Sequence, residues 1–124
     1  MKAVECAVEM RKVLDELNNE WDEVEFSRYW KNHGINKVEA RAGIHSGSVI
    51  AGNIGSDRML QYSAIGDVVN VAARLEQSNK EFGTDICFSH EIYINLKKDL
   101  HDKASLSGEI KLKGRSSPLK VYSI

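Results

Sequence analysis

Tyr62-Ser63-Ala64-Ile65-Gly66-Asp67-Val68-Val69-Asn70-Val71-Ala72-Ala73-Arg74-Leu75-Glu76 is the stretch on which the reading of this chain turns. It predicts a short strand, a turn at Gly66-Asp67, and a helix over about residues 68–82 that stops at Gly83. Asp67 is expected to cap that helix, because its carboxylate can accept bonds from the free amides of the first turn. Asn70 and Arg74 stand four residues apart and so point from one side of the helix. Val68, Val71, Ala72 and Leu75 fall on the opposite side as a core stripe. An amide and a fixed cation on a rigid element beside a turn suit a site where negative charge accumulates. The same spacing also describes the wet side of any amphipathic helix.

Upstream of this stretch, Val38, Ala40, Ala42 and Ile44 alternate with Glu39, Arg41, Gly43 and His45, a period of two that predicts a strand over residues 38–45. Ser46-Gly47-Ser48 is expected to turn it into a second strand at 49–53, with Gly52, Gly55 and Ser56 loosening the chain before a third at 59–65. Downstream, residues 85–89 read as a strand, and Ser89 as the cap of a short helix carrying Ile92, Tyr93 and Leu96. Residues 105–113 and 119–124 read as a closing hairpin around Gly114 to Pro118. Interleaved strands, hairpins and helices argue for an α+β fold: a mainly antiparallel sheet with helices on one face.

The beginning differs in character. Residues 2–19 form an amphipathic helix with Ala3, Ala7, Met10, Leu14 and Leu17 as its apolar stripe. Residues 20–36 hold both tryptophans and end at Asn32-His33-Gly34, a helix stop. Residues 1–36 are thus a helical lead-in and 37–124 the α+β core of one domain. No cap precedes the first helix, which reads as truncation at the N-terminus.

With 42% hydrophobic and 28% charged residues, the composition is that of an ordinary globular chain. A net charge of −1 and a pI near 6.4 give no sign of nucleic-acid binding. Cys6 and Cys87 have neither ligand nor disulfide spacing, which fits a reducing, cytoplasmic setting. No apolar run reaches membrane-spanning length, so no membrane segment is expected in this chain, although a parent protein could be anchored elsewhere in its sequence. His33, His45, His90 and His101 lack a second ligand at metal spacing, so no metal residues are assigned. For His45 a strand residue bonded to a neighbour is the expectation. Gly47 to Gly52 has the spacing that opens a phosphate-binding loop, but Asn53 occupies the lysine position and excludes it.

The string from Tyr62 to Glu76 resembles the signature of the class III nucleotidyl cyclases, and residues 41–55 resemble the glycine-rich segment that precedes it in that family. The resemblance implies a ferredoxin-like nucleotide cyclase fold and the conversion of a nucleoside triphosphate into its 3',5'-cyclic monophosphate and pyrophosphate. It implies catalytic roles for Asn70 and Arg74, which match the residues that stabilise the transition state. Ser63 matches the base-reading position, with Ala64 and Ile65 flanking the purine and Arg115 contacting the triphosphate. A hydroxyl both donates and accepts, so Ser63 alone leaves the base open; similarity to the Thr/Ser branch of the family favours ATP.

The resemblance also exposes what this chain lacks. The metal-binding aspartates of the family lie upstream of the first helix, and no match occurs here, so Mg or Mn would take ligands outside the chain. The implied partner is a second cyclase domain in a head-to-tail homodimer, and the chain alone is expected to be inactive. A bared sheet flank is expected to promote self-association. The competing readings are a non-catalytic cyclase-like regulatory or dimerisation module, and a guanylate cyclase.

Overall fold

A computed structural model describes residues 2–124. Its elements are α1 (Lys2–Glu23), α2 (Arg28–Lys31), β1 (Ala42–Ile44), β2 (Ile50–Ser56), β3 (Met59–Ile65), α3 (Asp67–Phe82), β4 (Ile86–Ser89), α4 (His90–Tyr93), α5 (Lys98–His101), β5 (Ser105–Ile110) and β6 (Leu119–Ser123). Four strands form one sheet in the order β1-β4-β6-β5, and β2 and β3 form a separate hairpin. Within the four-stranded sheet only β1 and β4 run parallel. The expected α+β class with a mainly antiparallel sheet stands.

Every residue of β4, Ile86-Cys87-Phe88-Ser89, is buried. Successive strand residues point to opposite faces, so this strand must be covered on both. Cys87 packs with Val71 and Leu75 of α3, together with Ile110, Leu119 and Val121. Ile86 and Phe88 pack instead with Val4 of α1, Ile92, Leu100 and Tyr122. Helix α3 is the layer on one face, and α1, α4 and α5 add a second layer on the other. Burying Val71 and Leu75 stabilises the α3 layer by about 1.5–3 kcal/mol for each side chain.

A polar tie fixes α3 along β1. Asn79 is almost fully buried, and its amide donates to the carbonyls of Ala42 and Glu76, both at 3.0 Å. Its own carbonyl accepts from the Thr84 hydroxyl at 2.8 Å. Beside this tie, Gly43 lets the backbones meet: a Cβ there would collide with the backbone of Ala72 and Glu76. Gly43→Ala is therefore expected to push α3 off the strand and destabilise the domain by about 1–3 kcal/mol, read from urea unfolding. Unchanged stability would show that the helix can retreat without loss.

Several local expectations give way to the tertiary structure. The strand expected over 38–45 shrinks to the three residues that face Ile86–Phe88 of β4, and the side chain of Asn18 takes up the backbone N–H and C=O of Val38, at 3.0 and 2.9 Å. The chain at 46–48 does not fold β2 back onto β1. Instead β2 runs straight through Gly52 and Gly55 and pairs with β3 from Ile50↔Ile65 to Ser56↔Met59. Helix α1 runs to Glu23 rather than 19. Its buried face is turned toward Val4, Ala7 and Val8, leaving Met10 65% exposed. Met10, Val13, Leu14 and Leu17 line an apolar groove of about 900 Å³ between α1 and residues 37–42.

Candidate active site

Helix α3 begins where β3 ends, at Gly66, whose φ of 155° makes the corner between them. Gly66 is the N-cap residue, and Asp67 is already the first residue of the helix. Asp67 therefore does not hold the expected cap position. Its carboxylate instead meets the guanidinium of Arg115 at 2.7 Å, from the loop joining β5 to β6. A cap residue stands outside the helix with extended dihedrals, and that place is taken by Gly66, so the carboxylate of Asp67, one residue inside, is left to pair elsewhere. The capping expectation fails likewise at Ser89, which makes no side-chain cap to α4. Its hydroxyl bonds to Nδ1 of His45 at 2.8 Å.

This end of the molecule collects charge. The His45 side chain is only 6% exposed, and its Nδ1 stands 3.8 Å from the Glu91 carboxylate. Burial raises the pKa of Glu91. Its own backbone N–H, the Ser89 hydroxyl, and the nearby His45 and Arg115 outweigh that and hold it below the ordinary value of 4.5. His45, Glu91, Arg115 and Asp67 thus form one electrostatic cluster around the first turn of α3. Of the expectation for His45, a strand residue bonded to a neighbour, the bond is present, but β1 ends one residue earlier at Ile44.

Of the residues singled out from the sequence, Arg115 is brought to Asp67 at the N-terminus of α3, the helix that carries Asn70 three positions further on. Asn70 is exposed on the first turn. Ser63, half-buried on β3, makes only a long 3.4 Å bond to the Gln61 carbonyl. Ala64 and Ile65 are exposed, Ile65 to 53%. Arg74 lies on the same helix side as Asn70, but its guanidinium reaches toward the C-terminal half of α3, where it meets Glu81 at 3.2 Å. That contact is solvent-exposed, the kind of pair worth about 0–1 kcal/mol, so it holds Arg74 only lightly. None of these six residues lines the apolar groove beside α1. They sit on an open surface.

Asp67, Glu81 and Glu91 are charged partners of these cations that the sequence reading did not pair with them. Asp67 and Arg115 are 48 positions apart, a separation no local pattern reveals.

The catalytic-domain model of the adenylate and guanylate cyclases matches residues 1–124, the whole chain. The chain belongs to this family. Adenylate cyclase 1 of Rhizobium meliloti is 34% identical over 122 residues, which are 98% of this chain and 17% of that protein. Adenylate cyclase 2 of the same organism is 32% identical over 99% of this chain and 33% of its own length. Among solved structures, the adenylyl cyclase CyaB from P. aeruginosa superposes with a TM-score of 0.64 at 32% identity, covering 98% of this chain and 56% of that one. The guanylyl cyclase Cya2 superposes with a TM-score of 0.66 at 27% identity, covering 98% and 55%. This cyclase-family chain therefore spans at most a third of the length of those two curated relatives. No helix of the described residues is long and apolar enough to cross a membrane.

Proposed function

We propose that this chain is the part of an adenylate cyclase catalytic domain that supplies the transition-state amide and guanidinium. In the reaction the 3'-hydroxyl of ATP attacks the α-phosphate, its proton is released, and pyrophosphate departs. Negative charge gathers on the phosphoryl oxygens as this happens. Arg74 meets those oxygens with a planar two-donor fork, which a lysine cannot match. Asn70, one turn earlier on the same side, holds the ribose. Arg115 engages the triphosphate at the N-terminus of α3, where the helix dipole also favours an anion. Ser63 reads the base, and Ala64 and Ile65 flank it.

The observation that carries this reading is the convergence of Arg115 on the first turn of the helix that bears Asn70 and Arg74. A family match over the full chain supports it. Adenine is preferred because Ser63 fits the Thr/Ser branch and because relatives 34% and 32% identical bear the name adenylate cyclase.

This chain does not fit a metal ion by itself: no group of three or more His, Cys, Asp or Glu is gathered to hold one among the described residues. In this reading Mg or Mn therefore takes ligands from outside the chain, and no step is assigned to it here. The open surface around Ser63 and Ile65 likewise lacks a second wall. A second cyclase domain, packed head to tail, would provide one. The apolar side chains of the β2–β3 hairpin supply a surface for it, with Ile50 76%, Met59 80%, Leu60 61% and Tyr62 77% exposed.

A competing reading is a non-catalytic, cyclase-like module. The contact of Arg74 with Glu81, which turns the guanidinium along its own helix, favours it. Mixing this chain with a cyclase half that carries the metal aspartates decides between them. We expect 3',5'-cyclic AMP from ATP in the mixture with Mg or Mn, much less cyclic GMP from GTP, and no product from the chain alone. A barren mixture would leave the non-catalytic module. Preferred turnover of GTP would reassign the base.

A further inference from the structure

Asp67 and Arg115 form an ion pair at the N-terminal end of α3. At the first residue of α3, Asp67 puts a carboxylate at the positive end of a 16-residue helix and against a guanidinium 2.7 Å away. Both are what an anionic ligand seeks there. The N-cap position is held by Gly66, and the side-chain bond that the Asp67 carboxylate makes is the one to Arg115. It is 71% exposed and Arg115 43%, so the pair is open to water and to competing ions. The loop that brings Arg115 turns at Gly114, with φ of 80°, a left-handed conformation that glycine adopts without strain.

We propose that Asp67 is an internal competitor for the triphosphate: it latches Arg115 to the first turn of α3 while the site is empty, and bound phosphate displaces it. The proposal rests on Arg115 being a phosphate contact, as in the functional reading above. Asp67 is then a positioning residue that acts through Arg115. It parks the β5–β6 loop beside Asn70 and weakens nucleotide affinity in return. An exposed pair of this kind contributes about 0.2–1 kcal/mol. Removing it should tighten polyphosphate binding by about 1.5- to 5-fold, by the ratio of tenfold per 1.4 kcal/mol.

A double-mutant cycle separates this from simple repulsion between Asp67 and phosphate. Binding of inorganic tripolyphosphate would be measured by NMR titration for the wild-type chain, Asp67→Asn, Arg115→Gln and the double variant. We expect Asp67→Asn to bind more tightly, Arg115→Gln more weakly, and the gain from Asp67→Asn to vanish when Arg115 is already gone. In the free chain, Asp67→Asn should also broaden or shift the amide signals of residues 113–117, a change that repulsion alone does not cause. A gain that persists without Arg115, or no gain at all, overturns the latch while the phosphate site stands. If none of the four proteins binds tripolyphosphate, the phosphate role of Arg115 falls, and the latch falls with it.

Discussion

Replacing Arg74 by alanine is expected to lower cyclic nucleotide formation, in the assembly with a metal-bearing cyclase half, by about a hundred- to a thousandfold, the usual cost of losing one fixed donor to a developing oxyanion. In the proposed role the loss should appear in kcat, with KM little changed, because the charge that Arg74 would answer appears only as the α-phosphate is attacked. Arg74→Lys should recover only part of the rate, since a point charge replaces a planar fork. A purely structural role for Arg74 predicts something else. Its charged contact among the described residues, with Glu81 on the same helix, is solvent-exposed, and breaking it costs at most about 1 kcal/mol of stability. Arg74→Ala should therefore unfold within about that margin of the wild type. Full activity in Arg74→Ala would remove the guanidinium from the chemistry, whatever became of the fold.

The parts of this structure that were legible beforehand are those set by short-range physics. Gly83 ends α3 in the left-handed conformation, φ 66°, because its position demanded a residue without a Cβ. Of the stripe Val68, Val71, Ala72 and Leu75, the second and fourth are buried as the spacing required and the other two are half-buried. What stayed hidden depends on partners far along the chain. Nothing near Val38 says that Asn18 will absorb its backbone bonds and cut β1 short. Nothing near Asp67 or Ser89 says that Arg115 and His45 will pair with their oxygens. The second helical layer did leave a trace. Ile86-Cys87-Phe88 is a continuous apolar run rather than an alternating one, the mark of a strand buried on both faces. At the site, the identities of Asn70, Arg74 and Arg115 came from family resemblance, and their spacing alone could not distinguish them from a solvated helix face.

That doubly covered strand also sets the largest stability effect. Phe88 is fully buried at the middle of β4 and touches the cluster formed by Val4, Ile86, Ile92, Leu100 and Tyr122. These side chains come from α1, from two strands and from the segment carrying α4 and α5, so a cavity there cannot close by moving one element. Phe88→Ala is expected to cost about 3–5 kcal/mol, against a total for a domain of this size on the order of 10 kcal/mol. The unfolding temperature should fall by roughly 10 °C or more. Leu106, 57% exposed on β5, provides the contrast: Leu106→Ala should stay within about 0.5 kcal/mol of the wild type. Because β4 also packs on α3 through Cys87, loosening Phe88 should reach the helix that carries Asn70 and Arg74. Hydrogen exchange would read this directly, as faster exchange of the α3 amides in Phe88→Ala and unchanged exchange in Leu106→Ala. Equal protection of α3 in all three proteins would mean that the two layers of the sheet open independently, and that the site helix is anchored by its own face alone.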